Sequence, residues 1–322
     1  MNVLLTGAFG NIGESTILAL LQRKHEITCF DLKTKRNERI SKKLLKNGKF
    51  RIIWGDISNQ NTLLEIVKGK DCIIHLAAII PPPSEKLPEL THKVNVEGTK
   101  NLIDAAFKME KIPKFIFTSS ITTHGPRMHE TPPRRANEVL NPTDNYTHSK
   151  VEAEALVKKS GLPWTILRLA ASPAIEVSLK IDAYVFDIPL DQRIEYVHSK
   201  DVGVAIANCV TAETDNKVLL IGGGKKCQML NREFMTKILE ATGIGMLPDS
   251  AFKVPKNDMD WYYTDWMDTS EAQELLQFQT LTLEDYLKEL KKKLGIMGKL
   301  AKLFKSQAQK FLLKKSPYYK KE

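Results

Sequence analysis

The sequence predicts an α/β chain: a doubly wound parallel sheet, a small C-terminal lobe, and a basic amphipathic helix at the end. Three observations predict it. Short apolar runs alternate with helical patterns through the first half, which argues for parallel strands covered by helices on both faces. The first run leads straight into a glycine-rich turn and then a helical pattern. The positive charge is gathered at one end, where apolar residues recur at helical spacing.

Residues 2–6 read as a short buried strand, followed by the glycine turn and a helix over 12–23. Further strands are expected at 26–30, 50–54, 71–76 and 114–118, with helical segments around 60–68 and 90–110. Another helix begins at Tyr146, and later strands fit 164–168 and 217–221. Pro81-Pro82-Pro83 and Pro132-Pro133 mark loops after the fourth and fifth strands. Those loops fall at the C-terminal edge of the sheet, where ligands bind in such folds. The expected division is a sheet domain over 1–172 plus about 196–225, a small lobe from 173–195 and 226–290, and a tail over 291–322.

With 322 residues, 42% hydrophobic and 27% charged, the chain is neither disordered nor collagen-like. Cys29, Cys72, Cys209 and Cys227 are far apart and form no Cys-x-x-Cys pair, so reduced thiols and no metal site are expected. The chain opens into a strand with no basic segment ahead of it, so no signal peptide is expected. No apolar run reaches the ~18 residues of a membrane span. The net charge of +10 is local. Residues 291–322 hold eleven lysines and one acid, Glu322, while the rest carries 37 basic and 37 acidic side chains. A basic chain therefore says nothing about nucleic-acid binding by the body.

Gly7-Ala8-Phe9-Gly10-Asn11-Ile12-Gly13 lies between a strand and a helix. Glycines there allow a tight turn and close approach to a pyrophosphate, and the helix start offers free N–H groups. The next strand ends in Asp31, 18 residues after Gly13. A carboxylate there accepts from ribose hydroxyls and repels a 2′-phosphate, so NAD is expected ahead of NADP. Lys33, Lys35 and Arg36 follow at once and soften that repulsion. Asp56 after the third strand is read either as an acceptor for the adenine amino group or as a turn aspartate. Tyr146 and Lys150 share one helical face. A phenol titrates near 10, so it shuttles protons at neutral pH only where a neighbouring cation stabilises the phenolate. Ser120, expected just past the fifth strand, can hydrogen-bond a reacting oxygen.

These residues resemble the extended short-chain dehydrogenases/reductases, in the NAD-dependent epimerase/dehydratase group. The resemblance covers roughly residues 1–290. It rests on the glycine loop, Gly55-Asp56, His75-Leu76-Ala77-Ala78, Asn95-Val96-Glu97-Gly98-Thr99, Thr118-Ser119-Ser120, Tyr146-x-x-x-Lys150, and Tyr196-Val197-His198 leading into Asp201. It implies a Rossmann-type fold, with Tyr146 as acid/base, Lys150 tuning Tyr146 and holding the nicotinamide ribose, and Ser120 orienting the substrate oxygen. It sets Asp56, Ile57, Leu76, Ala77, Ala78 and Thr118 along the cofactor groove, with Asn95 beside it. Asn95 and Asp201 are read as structural rather than catalytic.

The sequence departs from the nucleotide-sugar members. Arg168-Leu169-Ala170-Ala171-Ser172-Pro173 lacks the asparagine that helps seat the sugar nucleotide in them. His124 stands where a tyrosine is frequent and is read as a polar wall residue ahead of an extra acid/base. Ile121 and Thr122 occupy positions where dehydratases carry acids, so dehydration is disfavoured.

On a helical wheel Ile296, Met297, Leu300, Phe304, Ala308, Phe311 and Leu312 fall on one half of the tail and most lysines on the other. Residues 294–316 are thus expected to meet an anionic membrane surface, with packing on the protein itself as the rival reading. The expected activity is hydride transfer at a secondary alcohol of a lipophilic compound or a sugar derivative, as dehydrogenase or epimerase. The alternative is an NAD-binding sensor or membrane-tethered scaffold without turnover. A cytoplasmic location at the inner face of a membrane, a homodimer, and no nucleic-acid partner complete the expectation.

Overall fold

The computed structural model describes residues 1–175 and 183–320. Its strands are β1 (Asn2–Thr6), β2 (Glu26–Asp31), β3 (Arg51–Trp54), β4 (Cys72–His75), β5 (Lys114–Ser120), β6 (Trp164–Leu169), β7 (Arg193–Glu195), β8 (Lys217–Ile221) and β9 (Gln228–Leu230). Seven of them form one parallel sheet in the order β3-β2-β1-β4-β5-β6-β8. Every strand read from the sequence lies in this sheet. Ser119 and Ser120 belong to β5 itself, pairing with Arg168 and Leu169, rather than following it.

The sheet is apolar on both faces, as parallel strands between helix layers require. Alternate residues of β1 show the principle: Val3 and Leu5 enter one core, Leu4 the other. Helices α1 (Asn11–Gln22), α2 (Lys35–Leu44), α3 (Gln60–Ile66), α4 (Pro83–Lys86), α5 (Pro88–His92), α6 (Gly98–Phe107), α7 (Asn145–Lys158) and α8 (Ser199–Cys209) follow in chain order. Ile17 and Leu20 of α1 and Val202 and Ile206 of α8 fill the first core; Leu63 of α3, Leu102 of α6 and Val157 of α7 fill the second. The helix expected over 90–110 is segmented: Lys93–Glu97 forms a wide π-type turn between α5 and α6. Helix α2 has no apolar period long enough to predict it. Only Ile40 and Leu44 are its buried apolar residues, and the Thr34 hydroxyl, accepting from the Asn37 N–H, starts it.

Beyond the sheet, β7 and β9 pair antiparallel beside α9 (Asn231–Ala241), on which α11 (Leu283–Leu294) packs, while α10 (Ser270–Leu276) lies against α8 and β8. Three-residue strands carry no readable pattern, and the sequence did not announce them. Phe186, Leu190, Met235, Leu239, Ile244, Leu247 and Phe252 form a separate core here. The part of the expected lobe at 176–182 lies outside the described residues.

The tail is two helices, not one: α12 (Ile296–Leu303) and α13 (Lys305–Leu313), broken at Phe304, whose φ and ψ are −103° and 34°. The break divides the predicted apolar half. Leu312 is buried in the lobe core, with Ala308, Leu313, Tyr318 and Tyr319 packed against it. Gln309 donates to the carbonyls of Ile244 and Met246, and Ser316 to that of Ala251. Packing on the protein's own lobe is therefore realised for this inner side. No helix of the described residues is long and apolar enough to cross a membrane.

Candidate active site

The order of strands reverses between β1 and β4, which opens a crevice at their C-terminal ends. Two loops meet there. The Gly7 N–H donates to Phe30, the Leu76 N–H to the Thr6 carbonyl, and the Ala77 N–H to the Thr6 hydroxyl. Gly7 has φ +65°, and a Cβ on it would lie 2.6 Å from the Ala77 nitrogen. A Cβ on Gly13 would lie 2.4 Å from the Ala8 carbonyl oxygen. These contacts compact the turn until the first N–H groups of α1 face the crevice. Gly10 precedes them as N-cap and supplies no side-chain acceptor. A Cβ on Gly10 would meet only the Gly7 carbonyl oxygen, at 3.4 Å, so this glycine leaves open space in front of the helix.

Gly7→Ala tests this construction. Left-handed backbone costs a non-glycine residue about 1–3 kcal/mol, and overpacking typically adds about 1–3 kcal/mol. The variant is expected to lose about 2–6 kcal/mol in denaturant melts, and to lose dinucleotide binding with it.

Asp31 ends β2 beside this loop. Its Oδ2 accepts from the Phe9 N–H at 2.8 Å and its Oδ1 from the Leu32 N–H at 2.8 Å. Burial pushes its carboxyl up, opposed by those two hydrogen bonds and by Arg36. Each oxygen retains a further lone-pair site for a ribose hydroxyl. Two of the cations that follow are engaged: Arg36 donates to the Phe9 carbonyl and Lys33 lies 3.8 Å from Glu38. The Phe9 ring is buried against Trp54, so only its backbone serves the loop. Ile12 packs against the first core, and Asn11 donates to the Ser172 carbonyl. The Ser172 hydroxyl is buried with no partner among the described residues. Asp56 is exposed and accepts from the Ser58 N–H, closing a turn; the Ile57 side chain is buried under Gly98. An open cradle at Gly10, free helix N–H groups, an acid at Asp31 and an orphaned hydroxyl at Ser172 together fit a dinucleotide.

Helix α7 carries the other half of the site. The Asp144 Oδ1 accepts from the Thr147 N–H at 2.7 Å, capping the helix, and Glu85 accepts from the N–H groups of Asn145 and Tyr146 at 3.0 and 3.2 Å. The start of α7 is thus clamped from two directions at Tyr146. The Tyr146 hydroxyl lies close enough to Ser120 for that hydroxyl to lower its pKa, but burial, with Asp144 adding, outweighs this and holds the phenol well above its usual range. The Ser120 oxygen also accepts from the Thr122 hydroxyl at 2.8 Å. One turn on, Lys150 is buried and donates to the Thr118 carbonyl at 2.8 Å. Its Nζ lies 5.9 Å from the Tyr146 ring centroid and 4.7 Å from that of Phe117. Burial pushes this ammonium down to about 8, with Glu154 opposing. Ser120, Tyr146, Lys150 and Thr118 are therefore brought together at one sheet edge.

Other predicted residues act as supports. Asn95 sits in the wide turn before α6, donates to Ile79 and Ser149, and accepts from the Ile79 N–H. It ties the loop of Leu76, Ala77 and Ala78 to α7. Asp201 accepts from Thr280 and Leu281, a structural role as read. His124 is a correction: it is no wall residue but a buried strut whose ring nitrogens lie 3.1 Å from the carbonyl oxygens of Ile121 and Arg135. Burial pushes its imidazole down, so it stays neutral. Arg168 is likewise internal, held bidentate by Glu154 at 2.9 and 2.7 Å.

A cavity of about 600 Å³ opens beside the start of α7. Pro81, Pro82 and Pro126 line it with Tyr184, Trp261 and Tyr262. Tyr262 and Tyr263 stack with centroids 4.1 Å apart, and Tyr262 lies close enough to raise the Tyr146 phenol further. Lys86 and Lys253 are its bases; Glu85, Asp187 and Asp260 are its acids, with Lys253 paired to Asp260 at 3.2 Å. Sequence reasoning missed Glu85 and this aromatic cluster. The Trp261-Tyr262-Tyr263 run was the available signal.

A family model described as the 3-beta hydroxysteroid dehydrogenase/isomerase family matches residues 4–163. A 3-beta-hydroxysteroid dehydrogenase of Mycolicibacterium neoaurum is 34% identical over 164 residues, covering 48% of this chain and 42% of that protein. The photosystem II assembly factor Ycf39 of Cyanophora paradoxa is 28% identical over 234 residues, covering 69% and 64%. The chain spans about half the length of the curated relatives it matches. A solved UDP-glucuronic acid 4-epimerase from Bacillus cereus, in complex with UDP-glucuronic acid and NAD, is similar with TM-score 0.75 at 21% identity, covering 91% of this chain and all of that one. The family model thus matches just under half of the chain, and the fold of this epimerase is shared along nearly the whole of it.

Proposed function

We propose that the chain is an NAD-dependent oxidoreductase or epimerase that opens its reaction by oxidising a secondary alcohol. One observation carries this reading: Tyr146 beside Ser120, one turn from a buried Lys150, at the sheet edge where the glycine loop opens. NAD, when bound, supplies the acceptor for the hydride. The Gly7–Gly13 turn and the start of α1 would hold its pyrophosphate, Asp31 its adenosine ribose, and Lys150 its nicotinamide ribose.

Ser120 then donates to the substrate oxygen while Tyr146 removes the hydroxyl proton. The phenol rests protonated because burial disfavours its anion, so it first releases its own proton to solvent, and the phenolate then takes the proton of the substrate hydroxyl. Lys150, titrating near 8, is mostly charged at neutral pH and stabilises the phenolate as it forms. Glu85 and Asp144 keep the start of α7 from shifting as that charge moves.

The lobe from 173–195 and 226–290 would bind the substrate. The cavity's acids outnumber its bases, which disfavours a nucleotide diphosphate, and its proline and aromatic walls suit a largely apolar alcohol. Supplying the purified chain and NAD with hydrophobic secondary alcohols and, separately, with nucleotide sugars tests this. NADH formation with the alcohols supports the reading; turnover confined to nucleotide sugars overturns the substrate class. The membrane surface is the second partner in this reading, met through 294–316, with the chain peripheral on the cytoplasmic side and a second copy the remaining candidate.

Cofactor choice gives a separate prediction. Asp31→Ala removes a charged acceptor, worth about 1.5–3 kcal/mol, so NADH affinity is expected to fall about tenfold or more. NADPH affinity is expected to hold or rise as the repulsion goes. Fluorescence titration with both nucleotides checks it, and an unchanged NADH affinity would remove Asp31 from the ribose site.

A further inference from the structure

The fold uses only one side of the tail. Ala301, Ala308 and Leu312 face the protein, while Ile296, Met297, Leu300, Leu303, Phe304 and Phe311 remain between 44% and 75% exposed. Four of the six recur along α12 at helical spacing and span about 120° of its circumference at 100° per residue. Among the described residues, no packing accounts for an apolar stripe left in water beside a satisfied inner face.

We infer that this outer face of α12 and α13 is a docking surface for an anionic lipid bilayer. The inference rests on the membrane reading of the tail given above and is independent of the redox assignment. Its charge selects the occupant. Lys299, Lys302, Lys305, Lys310 and Lys314 are exposed around the stripe, and residues 291–320 contain no acid. A second copy would bring a like charge against this surface, which disfavours self-association. Lysine without arginine, set beside the exposed apolar side chains of α12, does not suit nucleic acid. An anionic bilayer satisfies both halves: the apolar side chains enter the acyl boundary and the ammonium groups stay among the headgroups.

The surface also reports on the substrate cavity. Past α13, Ser316 bonds the Ala251 carbonyl at 2.6 Å and the Tyr318 hydroxyl bonds Asp187 at 2.6 Å. Asp187 and the nearby Lys253 line the cavity. A docked tail therefore holds the cavity wall within a few residues of the lipid surface.

Sedimentation with phosphatidylcholine vesicles, with and without phosphatidylglycerol, tests the inference on the full chain. Binding is expected only with phosphatidylglycerol and is expected to weaken as salt rises. Lys299→Gln and Lys310→Gln should each lower the partition coefficient about fivefold. The double variant Leu303→Asp, Phe304→Ser should abolish binding, while Phe107→Ser, an exposed apolar residue on α6, should leave it unchanged. All replaced side chains are exposed, and thermal melts confirm that each variant folds. Equal binding to neutral vesicles, no binding, or wild-type binding by the double variant overturns the proposal. NADH titration of the same samples reads the cofactor site separately, so loss of one property is not mistaken for loss of the other.

Discussion

Replacing Tyr146 by phenylalanine is expected to lower turnover by about 10²–10⁴-fold, the range that one positioned acid/base group contributes. The ring stays, so the packing of α7 on the sheet is kept. What is lost is one hydroxyl, the phenol oxygen on the helix face that Tyr146 shares with Lys150. NADH affinity is expected to change little, because the glycine loop and Asp31 lie on separate elements. Steady-state rates beside NADH titrations check both halves. A variant that keeps its turnover would mean that another group takes the proton, and Tyr262 would be the first to examine.

Lys150→Met is expected to act in opposite directions on stability and on turnover. A buried ammonium whose pKa is pushed from 10.5 down to about 8 destabilises the fold wherever it is charged. At about 1.36 kcal/mol per pKa unit this amounts to about 3 kcal/mol near neutral pH, less about 1 kcal/mol for the lost bond to the Thr118 carbonyl. The sign follows from proton counting. Between pH 8 and 10.5 the unfolded chain holds the proton and the folded chain does not, so wild-type stability from this group rises with pH. The penalty is complete below about 8 and absent above 10.5. The methionine variant should therefore be more stable at neutral pH by about 2 kcal/mol, with the advantage shrinking through that window. Its turnover should fall steeply, since nothing then stabilises the phenolate. Denaturant melts of both proteins over pH 7–11 provide the check. A variant less stable than wild type at every pH would show that Lys150 is held by interactions stronger than its desolvation.

Such a trade-off is what a functional site is expected to display, and the residues behind it could be picked out in the sequence because their spacing is local. Tyr146 and Lys150 share one helix, and Gly7, Gly10 and Gly13 share one turn, so four-residue and three-residue spacings carry the geometry. The parallel sheet was equally open to reading, because each strand is a short apolar run between helical patterns. What the sequence hid is long-range. Glu85 reaches the Tyr146 N–H from 61 residues away, and the Trp261-Tyr262-Tyr263 wall arrives from the far lobe. No local period marks either. His124 misled for a related reason: its neighbours Arg135 and Arg168 come from other segments, and they turn a loop histidine into a buried strut. In the tail the period was right but the helix was not continuous. The break at Phe304 turned Ala308 and Leu312 inward and left Phe311 outside.

The most direct test of the central claim is transfer of label. The protein would be incubated with NAD and a hydrophobic secondary alcohol bearing deuterium at its carbinol carbon, and in parallel with a nucleotide sugar labelled at the corresponding carbon. Recovered nucleotide would be analysed by mass for wild type and for Tyr146→Phe. Deuterium found in the reduced nucleotide with wild type, and reduced about 10²-fold or more in the variant, is the result predicted. Bound NAD that never acquires label from either substrate, or acquires it equally in both proteins, would contradict a Tyr146-driven oxidation at this site.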